Sequence, residues 1–325
     1  PVLFPDYIGV TIPSTIAPMN FSVDGDVEIV DVVARGSKGG EMHVQGDYAD
    51  FDIDDWHALV ARNKGGKLTF TVCTKNDGVW TRYRDFDMYV SNYYMTDYGL
   101  TYRRIAPGYE VYSHMGLYER RLDNFEERAL IENTQVTGMC VNCHTSNRTN
   151  PDNYFFHVRG DHGATLIHNK GKVELLKAKN DSIKGSFVYP YWHPSGKYCA
   201  FSTNQTKQGF HVVKDERVEV FDLSSDVLVY DVAKHEVILD TLLATKPYSE
   251  NSPVFPADGK TLYYLTCLQQ DYPENYKNEK YNICRVSFNP DNGTFGDRVD
   301  TIYNAVEKGK TATWPRPSYD GRYIM

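Results

Sequence analysis

Three segments of the chain repeat one pattern: Pro190-Tyr-Trp-His-Pro-Ser-Gly196-Lys197, Pro253-Val-Phe-Pro-Ala-Asp-Gly259-Lys260 and Pro315-Arg-Pro-Ser-Tyr-Asp-Gly321-Arg322. In each, a proline stands six residues before a glycine and a basic residue follows, and the successive prolines are 63 and 62 positions apart. A fixed period of this kind marks a chain built from stacked copies of one supersecondary unit. Each period reads as strands. After the glycine turn come Tyr198–Thr203 and Thr261–Cys267, then the hairpins Val227–Val232 with Val237–Leu243 and Ile283–Phe288 with Phe295–Ile302. With the strand that carries the proline, the unit has four antiparallel strands.

Four antiparallel strands per unit is the plan of a β-propeller blade. The repeat resembles that of the WD40-like, TolB-type (PD40) propeller family, whose signature reads approximately Pro-x-Trp-Ser-Pro-Asp-Gly-Lys. Trp192-His193-Pro194-Ser195-Gly196-Lys197 departs from it by lacking the Asp, and the third copy lacks the aromatic residue. The resemblance covers residues from about 186 to 325. It implies a propeller of bacterial envelope type whose face grips a partner. Two or three units do not close a ring of about four to eight blades. The chain stops at Tyr323-Ile324-Met325, inside an expected strand, so further blades are expected beyond Met325.

The rest of the chain also reads as mostly β. Aromatic residues make up 14% of it, and Val and Thr recur in short runs bounded by Gly, Asn, Asp and Pro, which suits pleated, half-buried strands. We expect an N-terminal β-rich, sandwich-like domain over residues 1–120, a helix plus a motif-bearing segment over 121–168, and propeller blades over 169–325, with few and short helices. Asp50, Asp52, Asp54 and Asp55 resemble a calcium loop, but the loop glycine is missing and Ala61 stands where the closing glutamate belongs. The spacing predicts instead a helix whose first turn they charge, with Trp56, Leu59 and Val60 as its buried stripe and Gly65-Gly66 as its stop. Strands are predicted over Lys67–Thr74 and Trp80–Ser91, joined through Asn76-Asp77-Gly78, and over Leu100–Ile105. A second helix is predicted over Asp123–Asn133, from the capping-box spacing of Asp123 and Glu126 and a side carrying Phe125, Ala129 and Leu130.

The chemistry-bearing motif is Cys140-Val141-Asn142-Cys143-His144, two cysteines two residues apart with a histidine directly after the second. This is the attachment pattern of a c-type haem. Two thiols reach the two vinyl groups of one porphyrin, and the adjoining imidazole is the proximal iron ligand. An ordinary disulfide or dithiol, and half of a zinc site, use the same atoms. For the sixth iron ligand the candidates are His157 and Met115, ahead of His114, Met139, His162 and His168. His157 has thirteen residues after His144 in which to round the porphyrin, and Arg159 is a candidate partner for a propionate. An open sixth position is the alternative. Cys73 and Cys199 read as inert core thiols, and Cys267 with Cys284 as a pair flanking one hairpin that would bridge only if the geometry allowed.

A net charge of -8 and a pI near 5.7, with no Lys/Arg cluster, argue against nucleic acid and suit a basic redox partner. No apolar run is long enough to span a bilayer, and no lipid anchor is visible. The chain begins at Pro1 without Met, as a trimmed export product would, so a periplasmic or outer-membrane-associated protein is expected. The first functional expectation is an exported haem c protein used for electron transfer with a redox or envelope partner. The second is a haem-free propeller that binds a peptide, a glycan or an envelope protein. The third is a haem enzyme of peroxidase or reductase type, for which no acid–base constellation can be read.

Overall fold

Alternation builds the first sheet. Val30, Val32 and Ala34 on one strand, Leu68, Phe70 and Val72 on the next, and Phe86, Met88 and Val90 on a third are all buried, while their neighbours in sequence face outward. In the computed structural model, which describes residues 1–325 other than 96–98, 106–113, 136–137, 149, 161, 213 and 215–217, the chain divides into two compact units. Unit 1 comprises residues 1–100 and 119–128; unit 2 comprises 101–118 and 129–325.

Unit 1 is organised on a six-stranded sheet. Its strands run in the order Thr11–Ile12, Phe86–Val90, Lys67–Asn76, Ile29–Gly36 and Glu41–Gly46, with Val79–Arg82 pairing onto Lys67–Asn76. The turn Asp77-Gly78 has positive φ at both residues (49° and 78°), the twist that suits a two-residue hairpin. In place of the second sheet of a sandwich, the helix Ile53–Arg62 lends Trp56, Leu59 and Val60 to the same core as Phe21, Phe51 and Phe70. The acidic cluster starts that helix: Asp52 Oδ1 accepts the backbone N–H groups of Asp54 (2.9 Å) and Asp55 (3.1 Å). Asp52→Ala is therefore expected to lower the stability of unit 1 by about 1 kcal/mol in urea unfolding, and Asp52→Asn to cost much less.

Unit 2 carries three consecutive four-stranded antiparallel sheets, each with its strands in sequence order. The first is Cys140–Asn147, Asn150–Arg159, Ala164–Asn169, Lys172–Leu176; the second is Ser186–Trp192, Tyr198–Phe210, Val218–Asp231, Glu236–Ile238; the third is Tyr248–Val254, Thr261–Leu268, Asn282–Asn289, Thr294–Tyr303. These are propeller blades. Phe155 and Ile167 of the first sheet share a core with Phe187, Trp192 and Phe201 of the second, and Tyr198, Ala200 and Val229 of the second share one with Phe255, Leu262 and Tyr264 of the third. The Trp192 indole N–H donates to the Thr145 carbonyl at 3.1 Å, so a hydrogen bond also ties the first blade to the second.

The repeat acquires a conformational meaning here. The residue before each repeat proline has a positive φ: Tyr189 50°, Ser252 51°, Trp314 48°. The ladders slip at the first two of these points, between Val188 and Tyr191 and between Asn251 and Val254, as β-bulges do. The bulge bends the innermost strand, and the glycine that follows each shifted ladder (Gly196, Gly259) turns the chain with φ of 70° and 65°.

Two sequence-based expectations are corrected, and one pairing that the sequence left open is settled. The helix predicted over Asp123–Asn133 is a turn followed by the strand Glu127–Glu132. Arg121 grips both oxygens of Asp123 (2.9 and 2.6 Å), Asn124 Oδ1 accepts the Glu126 N–H, and Arg121 N–H reaches the Glu126 carbonyl, so the polar residues close a hairpin rather than cap a helix. Phe125, its supposed buried stripe, is 47% exposed. The strand predicted over Trp80–Ser91 breaks into Val79–Arg82 and Phe86–Val90. Cys267 and Cys284 do not bridge: Cys284 pairs with Tyr264, three residues from Cys267, and an odd offset puts the two thiols on opposite faces of the sheet.

Candidate functional site

The Cys140-Val141-Asn142-Cys143-His144 segment lies on the first strand of the first blade. Cys140 pairs with Arg159, Val141 with Val158 and Asn142 with His157; the ladder then slips and resumes at Thr145 opposite Phe155. Cys143 and His144 together face the single residue Phe156, which makes them a bulge. Cys143 has φ 49°, so it occupies the position that Tyr189, Ser252 and Trp314 hold elsewhere, and His144 stands where the others have proline.

The bulge sets the surroundings of each group. Both cysteines are free, partly buried thiols, and Asn142 Nδ2 lies 2.8 Å from Cys140 Sγ while Arg103 donates to the Asn142 side-chain carbonyl oxygen. Cys143 lies beside Tyr189, whose phenol is pushed up to about 12 by burial, with Asp222 and Cys143 adding to it. His144 lies near Thr101 and Arg103. Burial lowers its pKa, Arg103 adds to the effect, and a hydrogen bond to the Thr101 backbone partly opposes it. The imidazole is thus neutral, with one ring nitrogen held by a backbone carbonyl, as metal-ligating histidines usually have it.

His157, Arg159 and Cys140 share one face of the first blade, because alternate residues and their ladder partners point the same way. His157 is 6% exposed, its Nδ1 lies 2.8 Å from Thr165 Oγ1, and burial lowers its pKa to about 4, helped by Arg159 and Lys179. His157, Arg159, Lys177 and Lys179 line a pocket of about 520 Å³ that reaches Ser186 and Phe187 of the second blade. Met115 is buried on a different sheet, that of Gly99–Ile105, Met115–Arg121 and Glu127–Glu132. His114 pairs with Glu132, Met139 is buried with Leu117 and Val141, and His168 stacks on Tyr154 at 4.7 Å.

Two free thiols and a buried imidazole, the donor types that a covalent haem takes, thus occur on one strand, with the bulge at Cys143 and His144 interrupting its alternation. One sequence signal went unread. His157 and His162 follow the cysteine pair at a spacing that zinc ligands also use. Among the described residues, however, no three His, Cys, Asp or Glu side chains are placed to hold a metal ion. The innermost-strand role of the motif was also missed, because Cys143-His144 lacks the proline that marks the other blades.

No protein-family model matches the chain, and no curated protein matches it significantly. Among solved structures, an oligogalacturonate lyase in complex with manganese aligns over 81% of this chain at 11% identity and a TM-score of 0.38; the chain spans 58% of its length. An oligogalacturonate lyase from Vibrio parahaemolyticus aligns over 97% of this chain and 81% of its own, at 8% identity and a TM-score of 0.39. The WD40 domain of SCAP from fission yeast covers 91% of each chain at 8% identity and a TM-score of 0.23. These are distant likenesses to β-propeller proteins, and the propeller assignment rests on the three sequential four-stranded sheets of the chain itself.

Proposed function

We propose that the chain is an exported c-type haem protein, with thioether bonds at Cys140 and Cys143, His144 as proximal ligand, and electron transfer as its use. The observation that carries the reading is the Cys140-Val141-Asn142-Cys143-His144 spacing on a strand where both thiols are free and the imidazole is kept neutral. A haem held there supplies a one-electron iron couple. The Thr101 backbone would hold the His144 ring, and Thr165 that of His157, the candidate sixth ligand. Arg159, Lys177 and Lys179 give the neighbouring pocket a cationic wall suited to propionates.

The test is an optical spectrum of protein made with the cytochrome c maturation system, followed by acid–acetone extraction. A Soret band that stays with the polypeptide is expected, and its covalent retention is expected to vanish when both cysteines are replaced (Cys140→Ser with Cys143→Ser). His144→Ala is expected to keep the covalent haem but change the reduced spectrum. A colourless wild-type protein under these conditions ends the reading and leaves the haem-free binding module.

A further inference from the structure

We propose that the pocket between the first and second blades binds an organic acid, with carboxylate groups on its cationic rim and an apolar body against its floor. The pocket has a volume of about 520 Å³. The inference does not rest on the haem reading, because the pocket belongs to the chain whether or not a haem is attached. Haem propionates are one source of such carboxylates, and a separate acid is the other.

Charge marks the rim. The chain carries a net charge of -8, yet Arg159, Lys177 and Lys179 all line this pocket and no described Asp or Glu does. Among the described residues none of these three cations forms an ion pair. Asp222 feels the Arg159 charge but lies outside the lining. Cations gathered without a counter-ion repel one another, and a bound anion relieves that repulsion. Arg159 brings a planar fork that matches a carboxylate, and the lysines bring point charges.

The floor is apolar. Val158 and Leu176 of the first blade and Phe187 of the second line it and are buried, and the last two belong to one hydrophobic core. A bare inorganic anion would leave this surface uncovered, whereas an acid with a hydrocarbon body covers it.

A buried imidazole makes a second, independent observation. His157 lines the same pocket, and its Nδ1 is taken by Thr165 Oγ1 at 2.8 Å. Its Nε2 has no hydrogen-bond partner and is not sealed in the core, so in a side chain only 6% exposed the opening it reaches is this pocket. With the Thr165 hydroxyl donating to Nδ1, the neutral ring keeps its proton on Nε2 and presents a donor. Donors in buried side chains are nearly always paired, and a carboxylate oxygen supplies the missing acceptor.

Calorimetric titration of the full chain, made haem-free, tests this with three probes: suberate, the neutral octanediol of the same length, and inorganic phosphate. Suberate is expected to bind, octanediol not to, and phosphate to bind more weakly than suberate. Arg159→Gln is expected to weaken suberate about tenfold, the loss of a charge-assisted contact. Lys172→Gln, on the same sheet but off the pocket, is expected to leave the affinity unchanged. The titration repeated on haem-loaded protein separates the two sources: lost binding assigns the rim to the propionates, and retained binding assigns it to a separate acid. The haem-free result stands whatever the haem test returns. Absence of suberate binding, octanediol or phosphate binding as tightly as suberate, or equal losses in folded Arg159→Gln and Lys172→Gln variants overturns the proposal.

Discussion

Gly259→Ala is expected to lower the stability of unit 2 by about 3 kcal/mol. Two separate costs add at this residue. Gly259 has φ +65°, a backbone conformation that costs a residue with a Cβ roughly 1–2 kcal/mol. A Cβ there would also stand 2.2 Å from His193 Nε2 and 2.6 Å from its Cε1. His193 is 3% exposed and cannot swing aside, because it is wedged edge-on against Tyr198 and Phe255 with centroids 5.7 and 4.9 Å away. The new methyl therefore breaks the hydrogen bond in which Nε2–H donates to the Gly259 carbonyl at 2.9 Å, leaving a buried donor unpaired at about 1–3 kcal/mol. Gly171→Ala separates the two costs: its φ is +76° and nothing lies within 4 Å of the added atom, so only the backbone cost is expected. Urea unfolding of the two variants side by side is the measurement. Equal losses would show that the His193 contact contributes nothing.

That contact also shows what the sequence could and could not convey. The glycine of each repeat was legible, since a turn needs a left-handed residue and the Pro-to-Gly spacing recurs. What lies over the glycine was not. His193 reaches Gly259 across 66 positions, and in the blade before, Asn147 takes the same place over Gly196, where a Cβ would fall 2.4 Å from its Nδ2. Asn147 and His193 share no side-chain type, so the equivalence is one of position in the blade and appears only when the strands are stacked. The same reason hid the first blade. Tyr189, Ser252 and Trp314 bear no mark of the positive φ they adopt, and at Cys143 even the following proline is gone. The helix at Ile53–Arg62 was legible because cap, stripe and stop agreed, whereas Asp123 to Asn133 offered a cap and a stripe that local Asp and Asn hydrogen bonds turned into a hairpin. Of the candidate site, sequence reached Cys140, Cys143, His144, His157 and Arg159; the common face of Cys140, His157 and Arg159 needed the ladder register.

Glu250→Gln is expected to remove a loss of about 3 kcal/mol that the wild-type protein suffers as pH rises from 4.5 to 7. Glu250 sits on the first strand of the third blade at 1% exposure. Its Oε1 accepts the Thr245 hydroxyl and, at 3.3 Å, the Thr245 N–H, but Oε2 has no partner. Burial lifts its pKa from 4.5 to about 7; Asp226 adds to the rise, and Thr245 and Lys246 offset part of it. Below pH 4.5 the group is neutral in both folded and unfolded chains and costs nothing. Above that, the unfolded chain ionises freely while the fold still holds the proton, so the folded state binds more protons and stability falls until pH reaches about 7, then levels. Each tenfold difference in proton affinity between the two states is worth about 1.36 kcal/mol, so the total comes to about 3 kcal/mol. Glutamine keeps the Oε1 acceptor for Thr245 and puts a neutral group where the unpartnered Oε2 stood, so the variant should match the wild type near pH 4 and exceed it at pH 8. Asp226, itself raised by burial, is present in both proteins, and relief from its neighbour's charge acts in the same window. Unfolding free energies measured across that range decide the matter: two parallel curves would mean that Glu250 ionises as readily in the blade as in the unfolded chain.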